Sequence, residues 1–368
     1  MTDGAFINKR RASYEIMHGN KAVCSVTHSG VAQIYEPKFM PYDLYFEEGC
    51  DLDTAINNLE VFYHWCACRV LSLDREYAKE LFNSIGVRQA VTDRDRAMIS
   101  LSYHCVSLTD VFWVREVNEE VDFDEINLYD HHLNAAIVDL SLKGRQMTVT
   151  NSELAPDLST HGVFPKAWIR DKEGFSLLKD GGEEHVKKEL LASRICRCFD
   201  FPQVLYEEDC YDGEPVTKSR IITDKSYSMV SKYAFDIYAV NRDMDGTEEC
   251  ARLDPVGFYG MNILDYLVGN VDRHPENWGL LVDNATNEYI SLYPLMDFNL
   301  SFGAYDSIDG SICQTVRPRA VSQRTAAAEA VRKVGLRQIA EVDPEIFGEF
   351  RAEKEMFFMR LEELKRNS

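Results

Sequence analysis

Three residues in the second half of the chain have types and a spacing that suit phosphoryl transfer from a nucleotide. Asp272 lies five residues before Asn277 and twenty-five residues before Asp297. One carboxylate can accept the proton of an attacking hydroxyl, while a carboxamide and a second carboxylate can bind Mg²⁺, which prefers hard oxygen ligands. The same residue types also occur in turns that only cap a helix, so this chemistry needs support from other parts of the chain.

Apolar segments on both sides would position these polar residues. Met261–Val268 predicts a helix before the loop, and Trp278–Val282 predicts a strand after it. A second predicted strand, Tyr289–Tyr293, leads to Asp297. The candidate side chains would therefore lie at the ends of regular elements, where a rigid scaffold can orient them.

Residues upstream supply, in order, other groups that a nucleotide site needs. Gly162 would let the backbone approach phosphate oxygens, and Lys166 would add positive charge. Lys179 ends the apolar strand Phe175–Leu178, from which its ammonium could pair with the α- and β-phosphates. Each residue alone is a weak signal, because an ordinary turn or a solvated strand end has the same composition.

A helix predicted over residues 183–199 offers a carboxylate partner for that lysine. Glu189 lies beside the apolar face of the helix, where a carboxylate needs a cationic partner, and Lys179 is the natural one. Glu184 is the competing candidate. The order of loop, lysine, helix glutamate, Asp-x₄-Asn and Asp favours a nucleotide phosphotransferase, because unrelated turns would have to coincide to produce it.

The order of the predicted elements indicates an α+β fold. Strands with one helix come first, between about residues 165 and 231, and mostly helices follow, which describes a two-lobed kinase-like domain with a small β-rich lobe and a large helical lobe. We predict this domain over residues 149–368 and a mixed, mostly helical accessory region over residues 1–148. The remaining predicted helices are 55–71, 75–85, 93–104, 324–339 and 344–366, and helices are expected to dominate residues 236–269.

The net charge and the hydropathy of the chain limit the classes of binding partner and the location that we expect. A net charge of −21 and an isoelectric point near 4.9 oppose direct binding to nucleic acid or to anionic lipid. No apolar run is long enough to span a bilayer, and the N-terminus lacks the apolar core of a secretory signal, so a cytoplasmic location is expected.

Ten cysteines in 368 residues are too sparse for a disulfide scaffold, and none of them forms a CxxC pair. His64, Cys66 and Cys68 resemble a zinc site in composition. Residues two apart on a helix do not face each other, however, so we expect buried thiols that pack as small apolar groups.

Four segments together resemble the HipA-like Ser/Thr kinases, which are bacterial proteins often encoded as toxins beside a DNA-binding antitoxin. The resemblance covers about residues 150–340, and a weaker one extends to Ser107–Val114. The segments are PDLSTHGVFPKAWIR, KELLASRI, NVDRHPENWG and PLMDFNLSF.

The resemblance implies a role for each matching position. Asp272 would be the catalytic base, Asn277 and Asp297 the Mg²⁺ ligands, and Lys179 the lysine that binds ATP. Gly162 with its neighbours would form the phosphate loop.

In some family members a serine of this loop is autophosphorylated, which expels the loop and silences the enzyme. Ser159 occupies the matching position. The family often has a lysine before the metal-binding Asn, where this chain has Glu276. Arg273 or Lys166 could supply the missing positive charge.

Three functions stay open at this point. The first is an ATP- and Mg²⁺-dependent Ser/Thr kinase that acts on a protein and has a possible antitoxin partner. The second is a lipid kinase, because phosphoinositide kinases also carry a DRHxxN loop. The third is a non-catalytic module that binds nucleotide or a partner, and Glu276 favours it.

Overall fold

The computed structural model describes residues 12–70, 92–130, 165–172, 174–316 and 320–366. Gly162, Ser159, the predicted helix 75–85 and the predicted domain boundary between residues 148 and 149 lie outside the described residues. The chain divides into two compact units. The first comprises 1–179, 221–228 and 283–288, and the second comprises 180–220, 229–282 and 289–368.

A four-stranded antiparallel sheet lies in the first unit, where the sequence predicted a mixed, mostly helical region with short β-like runs at 22–27 and 31–35. Its strands are β1 (Tyr14–His18), β2 (Lys21–Val26), β3 (Ala32–Ile34) and β4 (Phe112–Glu116), and their order is β3-β2-β1-β4. Strands β2 and β3 coincide with the predicted runs, whereas β4 lies in the part predicted to be helical. Ile16 of β1 lies opposite Cys24 on one side and Val114 on the other, and all three side chains are fully or almost fully buried.

The described helices of this unit begin and end at local signals. Helix α1 (Leu52–Ala67) is capped by Asp51, whose side chain accepts a hydrogen bond from the Thr54 amide. The helix begins three residues and ends four residues before the predicted bounds. Helix α2 (Asp93–Leu101) ends before His104, whose φ of 60° leaves the helical region. A single turn, α3, covers Phe123–Ile126.

A β-hairpin forms where the sequence predicted two strands around a turn. Strands β5 (Lys166–Asp171) and β6 (Gly174–Lys179) pair antiparallel, and Lys166 lies directly opposite Lys179 at the open end. Gly174 has a φ of +119°, which only glycine adopts readily.

The second unit contains a second hairpin, a three-stranded sheet and most of the helices. The elements are α4 (Glu183–Cys196), β7 (Tyr206–Tyr211), β8 (Glu214–Arg220), β9 (Tyr227–Ser231), α5 (Lys232–Val240), α6 (Gly246–Leu253), α7 (Pro255–Val268), β10 (Gly279–Asp283), β11 (Glu288–Leu292), α8 (Gln323–Val334) and α9 (Arg351–Lys365). Strands β7 and β8 pair antiparallel, and the three-stranded sheet has the order β11-β10-β9.

Helix α7 is the central helix of this unit and is buried along most of its length. Asp254 caps its start by accepting a hydrogen bond from the Gly257 amide, and Pro255 occupies the first turn, where no amide is needed. Gly269 ends it in the left-handed conformation with φ of 60°. A Cβ at Gly260 would lie 2.3 Å from the Phe201 ring, so this residue must stay small.

Two predicted helices near the C-terminus are shorter than expected. Helix α8 ends at Val334 because Gly335 has a φ of +76°, and residues 336–339 are not helical. The predicted helix 344–366 is interrupted at Gly348, which has a φ of +51° and separates a short 3₁₀ turn (Pro344–Phe347) from α9. In the part of the chain that the structure describes, no helix is long and apolar enough to cross a membrane.

Candidate functional site

The loop that follows α7 is anchored to the helix by a buried aspartate. Asp265 accepts hydrogen bonds from the Asn270 side chain at 3.0 Å and from two Arg273 nitrogens at 2.9 Å each. The exposed fractions of the Arg273 and Asp265 side chains are 2% and 7%. A buried charge pair of this kind is favourable only with close geometry and further hydrogen bonds, and both are present here.

Arg273 also joins two segments that are remote in sequence. Its Nη1 donates to the carbonyl oxygens of Asn277 at 2.7 Å and Met296 at 2.5 Å. One guanidinium therefore positions the backbone at the end of the loop and the backbone directly before Asp297. Because its charge is buried and paired with Asp265, Arg273 does not provide the accessible cation that the sequence analysis considered for it.

Asp272 and Asn277 contact each other within this loop. The Asn277 amide nitrogen donates to the Asp272 carbonyl oxygen at 2.8 Å and to its carboxylate at 3.3 Å. Burial raises the pKa of Asp272, and the charge of Asp297 raises it further, against the lowering effects of His274, Arg273 and Asn277. The carboxylates of Asp272 and Asp297 are thus close enough to repel each other. The structure therefore brings Asp272, Asn277 and Asp297 together in the second unit.

Asp297 adopts a backbone conformation that is unusual for a residue with a side chain. Its φ is +60°, in the left-handed region that costs a non-glycine residue about 1 kcal/mol or more. Its amide donates to the Tyr206 hydroxyl at 2.9 Å, and the next side chain, Phe298, is fully buried. Contacts on both sides therefore hold Asp297 in place, and such retained strain is typical of functional positions.

Two glutamines support the start of the loop. Gln323, the first residue of α8, donates to the Asn270 carbonyl oxygen at 2.6 Å, and Gln314 donates to the Val271 carbonyl oxygen at 2.9 Å. The sequence analysis missed both glutamines because they are more than forty residues from the loop. It also missed Asp265, although a carboxylate within the apolar run GMNILDYLV could have drawn attention to it.

The other predicted site residues are described within their own units. In the first, Lys179 ends β6 with 6% exposure. In the second, Glu189 has 2% exposure and accepts a hydrogen bond from Thr217 at 2.7 Å. Glu184, the competing candidate, is exposed and paired with Lys188 at 2.6 Å, so Glu189 is the buried carboxylate of α4. The predicted pair between Lys179 and Glu189 stays a prediction.

The HWCAC segment lies in α1 and at its end. Cys66 is fully buried, which raises the pKa of its thiol well above its usual value, whereas Cys68 is half-buried and His64 is exposed. Within the residues described, no group of three or more His, Cys, Asp or Glu side chains is arranged to hold a metal ion.

Comparison with solved structures assigns the fold. HipA of Shewanella oneidensis MR-1, solved as a toxin–antitoxin complex with HipB and operator DNA, matches with a TM-score of 0.50 and 11% identity over 96% of this chain and 94% of that chain. The fold is kinase-like. The proinflammatory kinase CtkA of Helicobacter pylori matches with a TM-score of 0.40 and 16% identity over 55% of this chain and 90% of that chain. No protein-family model and no curated protein sequence matches the chain.

Proposed function

We propose that this protein is an ATP- and Mg²⁺-dependent Ser/Thr protein kinase of the HipA-like type. The observation that carries the proposal is the convergence of Asp272, Asn277 and Asp297, with one buried arginine joining the two segments that bear them. Phosphoryl transfer depends mainly on positioning and electrostatics, and such a tethered set of oxygen ligands supplies both.

The residues of the second unit fit a divalent cation. Burial is the main cause of the raised pKa of Asp272, and the negative charge of Asp297 adds to it, so a divalent cation would relieve the repulsion between the two carboxylates. Asn277 uses its amide nitrogen for Asp272, so its amide oxygen would bind the ion together with Asp297. When bound, Mg²⁺ neutralises charge on the phosphates.

Asp272 is the proposed catalytic base. Its side chain is 32% exposed, so an acceptor hydroxyl can reach the carboxylate and give up its proton. The hydrogen bond from Asn277 fixes the carboxylate while leaving lone pairs for that hydroxyl.

Lys179 and Lys166 are the proposed cations for the phosphates. Lys166 and Lys179 lie opposite each other in the hairpin, so their side chains leave the same face of the sheet. The resemblance to the HipA-like kinases assigns Lys179 to ATP. Gly162 would form the phosphate loop, and Ser159 would be its autophosphorylation site.

A toxin role and an antitoxin partner are further parts of the proposal. They are supported by the resemblance of the sequence to HipA-like kinases and by the HipA neighbour, which was solved with HipB and operator DNA. The strong negative charge favours a protein acceptor over direct contact with nucleic acid.

Transfer of the γ-phosphate from radiolabelled ATP tests the proposal. We expect Mg²⁺-dependent labelling of protein or peptide acceptors, no labelling of phosphoinositide vesicles, and loss of labelling in Asp272→Asn with an unchanged melting temperature. Preferential labelling of the vesicles would instead assign a lipid kinase. Full activity of Asp272→Asn would contradict the assignment of the base.

A non-catalytic nucleotide-binding module is the second candidate, and Glu276 is the observation that favours it. This residue is exposed directly before Asn277, where its charge would repel a phosphoryl group. Mg²⁺-dependent binding of ATP without transfer to any acceptor, in a chain whose Glu276→Lys variant gains transfer, would support this candidate.

A further inference from the structure

A histidine on α1 lies between a thiol and a carboxylate in the first unit. Its Nε2 atom is 3.6 Å from the Cys68 Sγ atom, and its Nδ1 atom is 2.9 Å from a carboxylate oxygen of Asp93. His64 and Cys68 are four residues apart, which places them on one face, and Asp93 is the first residue of α2. Nucleophile, base and carboxylate in this order form the arrangement that activates side chains for nucleophilic attack.

The partners of His64 determine which ring nitrogen carries the proton. A carboxylate only accepts hydrogen bonds, so Nδ1 must donate to Asp93. A neutral imidazole has one donor and one acceptor, so Nε2 accepts from the Cys68 thiol. Hydrogen bonds from Arg96 and His64 lower the pKa of Asp93, which keeps its charge in place to orient the ring. The thiol proton therefore has a base within reach.

The site is accessible to small molecules. The side chains of His64 and Asp93 are 52% and 49% exposed, and Cys68 is half-buried. Cys68 follows the last residue of α1, where the helix dipole disfavours a thiolate. The imidazolium formed by proton transfer must offset that effect, so the reactivity of Cys68 should depend strongly on His64.

The same geometry argues against a metal site. Cys68 and Asp93 contact different nitrogens on opposite edges of one imidazole ring. Their sulfur and oxygen atoms therefore cannot meet the same ring nitrogen around a single ion. A hydrogen-bonded chain from thiol to carboxylate fits the contacts, and a chelate does not.

We propose that Cys68 is a nucleophilic site that reacts with soft electrophiles, with His64 as its base and Asp93 as the residue that orients the base. With an alkyl iodide, the Sγ proton moves to Nε2, the sulfur bonds to carbon and iodide leaves. With a peroxide, the sulfur–oxygen bond forms as the oxygen–oxygen bond breaks. The thiol is oxidised to a sulfenic acid, and the departing hydroxide takes the proton and becomes water. This site lies outside the phosphoryl-transfer residues and does not depend on them.

The test is the rate of iodoacetamide labelling of each cysteine in the full chain near neutral pH, read by peptide mass spectrometry. Cys210 is the exposed reference. Cys198 is the matched control, because it is half-buried, follows the end of α4 and has its Sγ 3.8 Å from two carbonyl oxygens. We expect Cys68 to react on the order of 10-fold faster than either, because its thiolate is stabilised by an adjacent base.

Two variants test whether His64 and Asp93 cause the reactivity of Cys68. His64→Gln keeps a polar side chain but cannot take the proton, so it should slow Cys68 labelling on the order of 10-fold. Asp93→Asn should slow it about 3-fold, because the ring loses its orientation but not its basicity. Unchanged rates at Cys198 and Cys210 report an intact fold. Labelling of Cys68 no faster than that of Cys210, or a rate unaffected by His64→Gln, would overturn the proposal.

Discussion

Both units contain a buried arginine that binds an aspartate through two parallel hydrogen bonds. Arg69 binds Asp110 at 2.9 and 2.7 Å, and Arg273 binds Asp265 at 2.9 Å twice. Burial alone would lower the pKa of each arginine, but the aspartate raises it, so both guanidinium groups stay charged. Both are buried arginine–aspartate ion pairs. They differ in the backbone carbonyl groups to which each arginine also donates hydrogen bonds.

Arg69 contacts backbone that belongs only to the scaffold of the first unit, whereas Arg273 contacts the segments that carry the candidate metal ligands. Arg69 donates to the carbonyl oxygens of Cys105 at 2.6 Å and Phe112 at 2.9 Å, which fixes the approach to β4. The corresponding acceptors of Arg273 belong to Asn277 and Met296. The same interaction can therefore stabilise a fold in one unit and set the geometry of a reaction in the other.

Matched substitutions at Asp265 and Asp110 should separate these two roles, and they have the largest effects that we expect. Asp265→Asn and Asp110→Asn each leave a buried arginine without its counter-charge, which we expect to lower the free energy of unfolding by about 3 kcal/mol. Only Asp265→Asn should also lower the turnover of folded protein, about 100-fold, because small displacements of reacting groups have effects of that size. Urea unfolding and ATP turnover corrected for the folded fraction measure both quantities.

The Asp110 variant is the control for general destabilisation. Its turnover per folded molecule should stay within about 2-fold of the wild type, because destabilisation by itself leaves the folded site unchanged. Equal losses of turnover in the two variants would contradict the assignment of Arg69 to the scaffold and of Arg273 to the candidate site.

A histidine in the sheet of the first unit should make stability depend on pH. His18 is packed between the rings of Phe39 and Phe112, and burial lowers its pKa from 6.5 to about 4. Between those values the unfolded chain binds a proton that the folded chain does not. The free energy of unfolding should therefore fall as the pH drops from 6.5, by about 3 kcal/mol in total near pH 4.

Replacement of His18 by glutamine measures this contribution. Tryptophan fluorescence during urea unfolding should show a difference between wild type and variant that changes by about 2–3 kcal/mol from neutral pH to about pH 4. A constant difference over that range would contradict the assignment, since other titrating groups act equally on both proteins.

The smallest effect is expected at α4. Glu189→Gln should reduce phosphoryl transfer about 10-fold, because the proposed carboxylate partner of the nucleotide lysine would lose its charge. Glu184→Gln should change transfer by less than about 2-fold, because an exposed pair on a helix surface contributes little. The two glutamates share one helix, so each variant controls for the other, and a larger effect at Glu184 would reverse the assignment.

The helix, loop and strands around Asp272 could be predicted because their signals are local. Asp254 and Pro255 begin α7, Gly269 ends it, and strands β10 and β11 begin ten and nineteen residues after Gly269. The motif residues Asp272 and Asn277 lie in that short span, and their spacing predicts phosphoryl transfer when it is taken together with the groups upstream.

Contacts between remote segments could not be predicted. Strands β1 and β4 pair across about ninety residues, and neither shows the alternation that marks a half-buried strand. Arg273 was considered as a cation for the phosphoryl group, but its burial and its pairing with Asp265 depend on how α7 packs against the loop. Gln323 contacts the loop only because α8 begins beside it.

A crystal structure with Mn²⁺ in place of Mg²⁺ and a non-hydrolysable ATP analogue tests the central claim most directly. The anomalous signal of the ion should lie within bonding distance of the Asn277 amide oxygen and the Asp297 carboxylate, with Asp272 beside the terminal phosphate. An ion bound elsewhere at full occupancy, with both side chains uncoordinated, would contradict the proposed site.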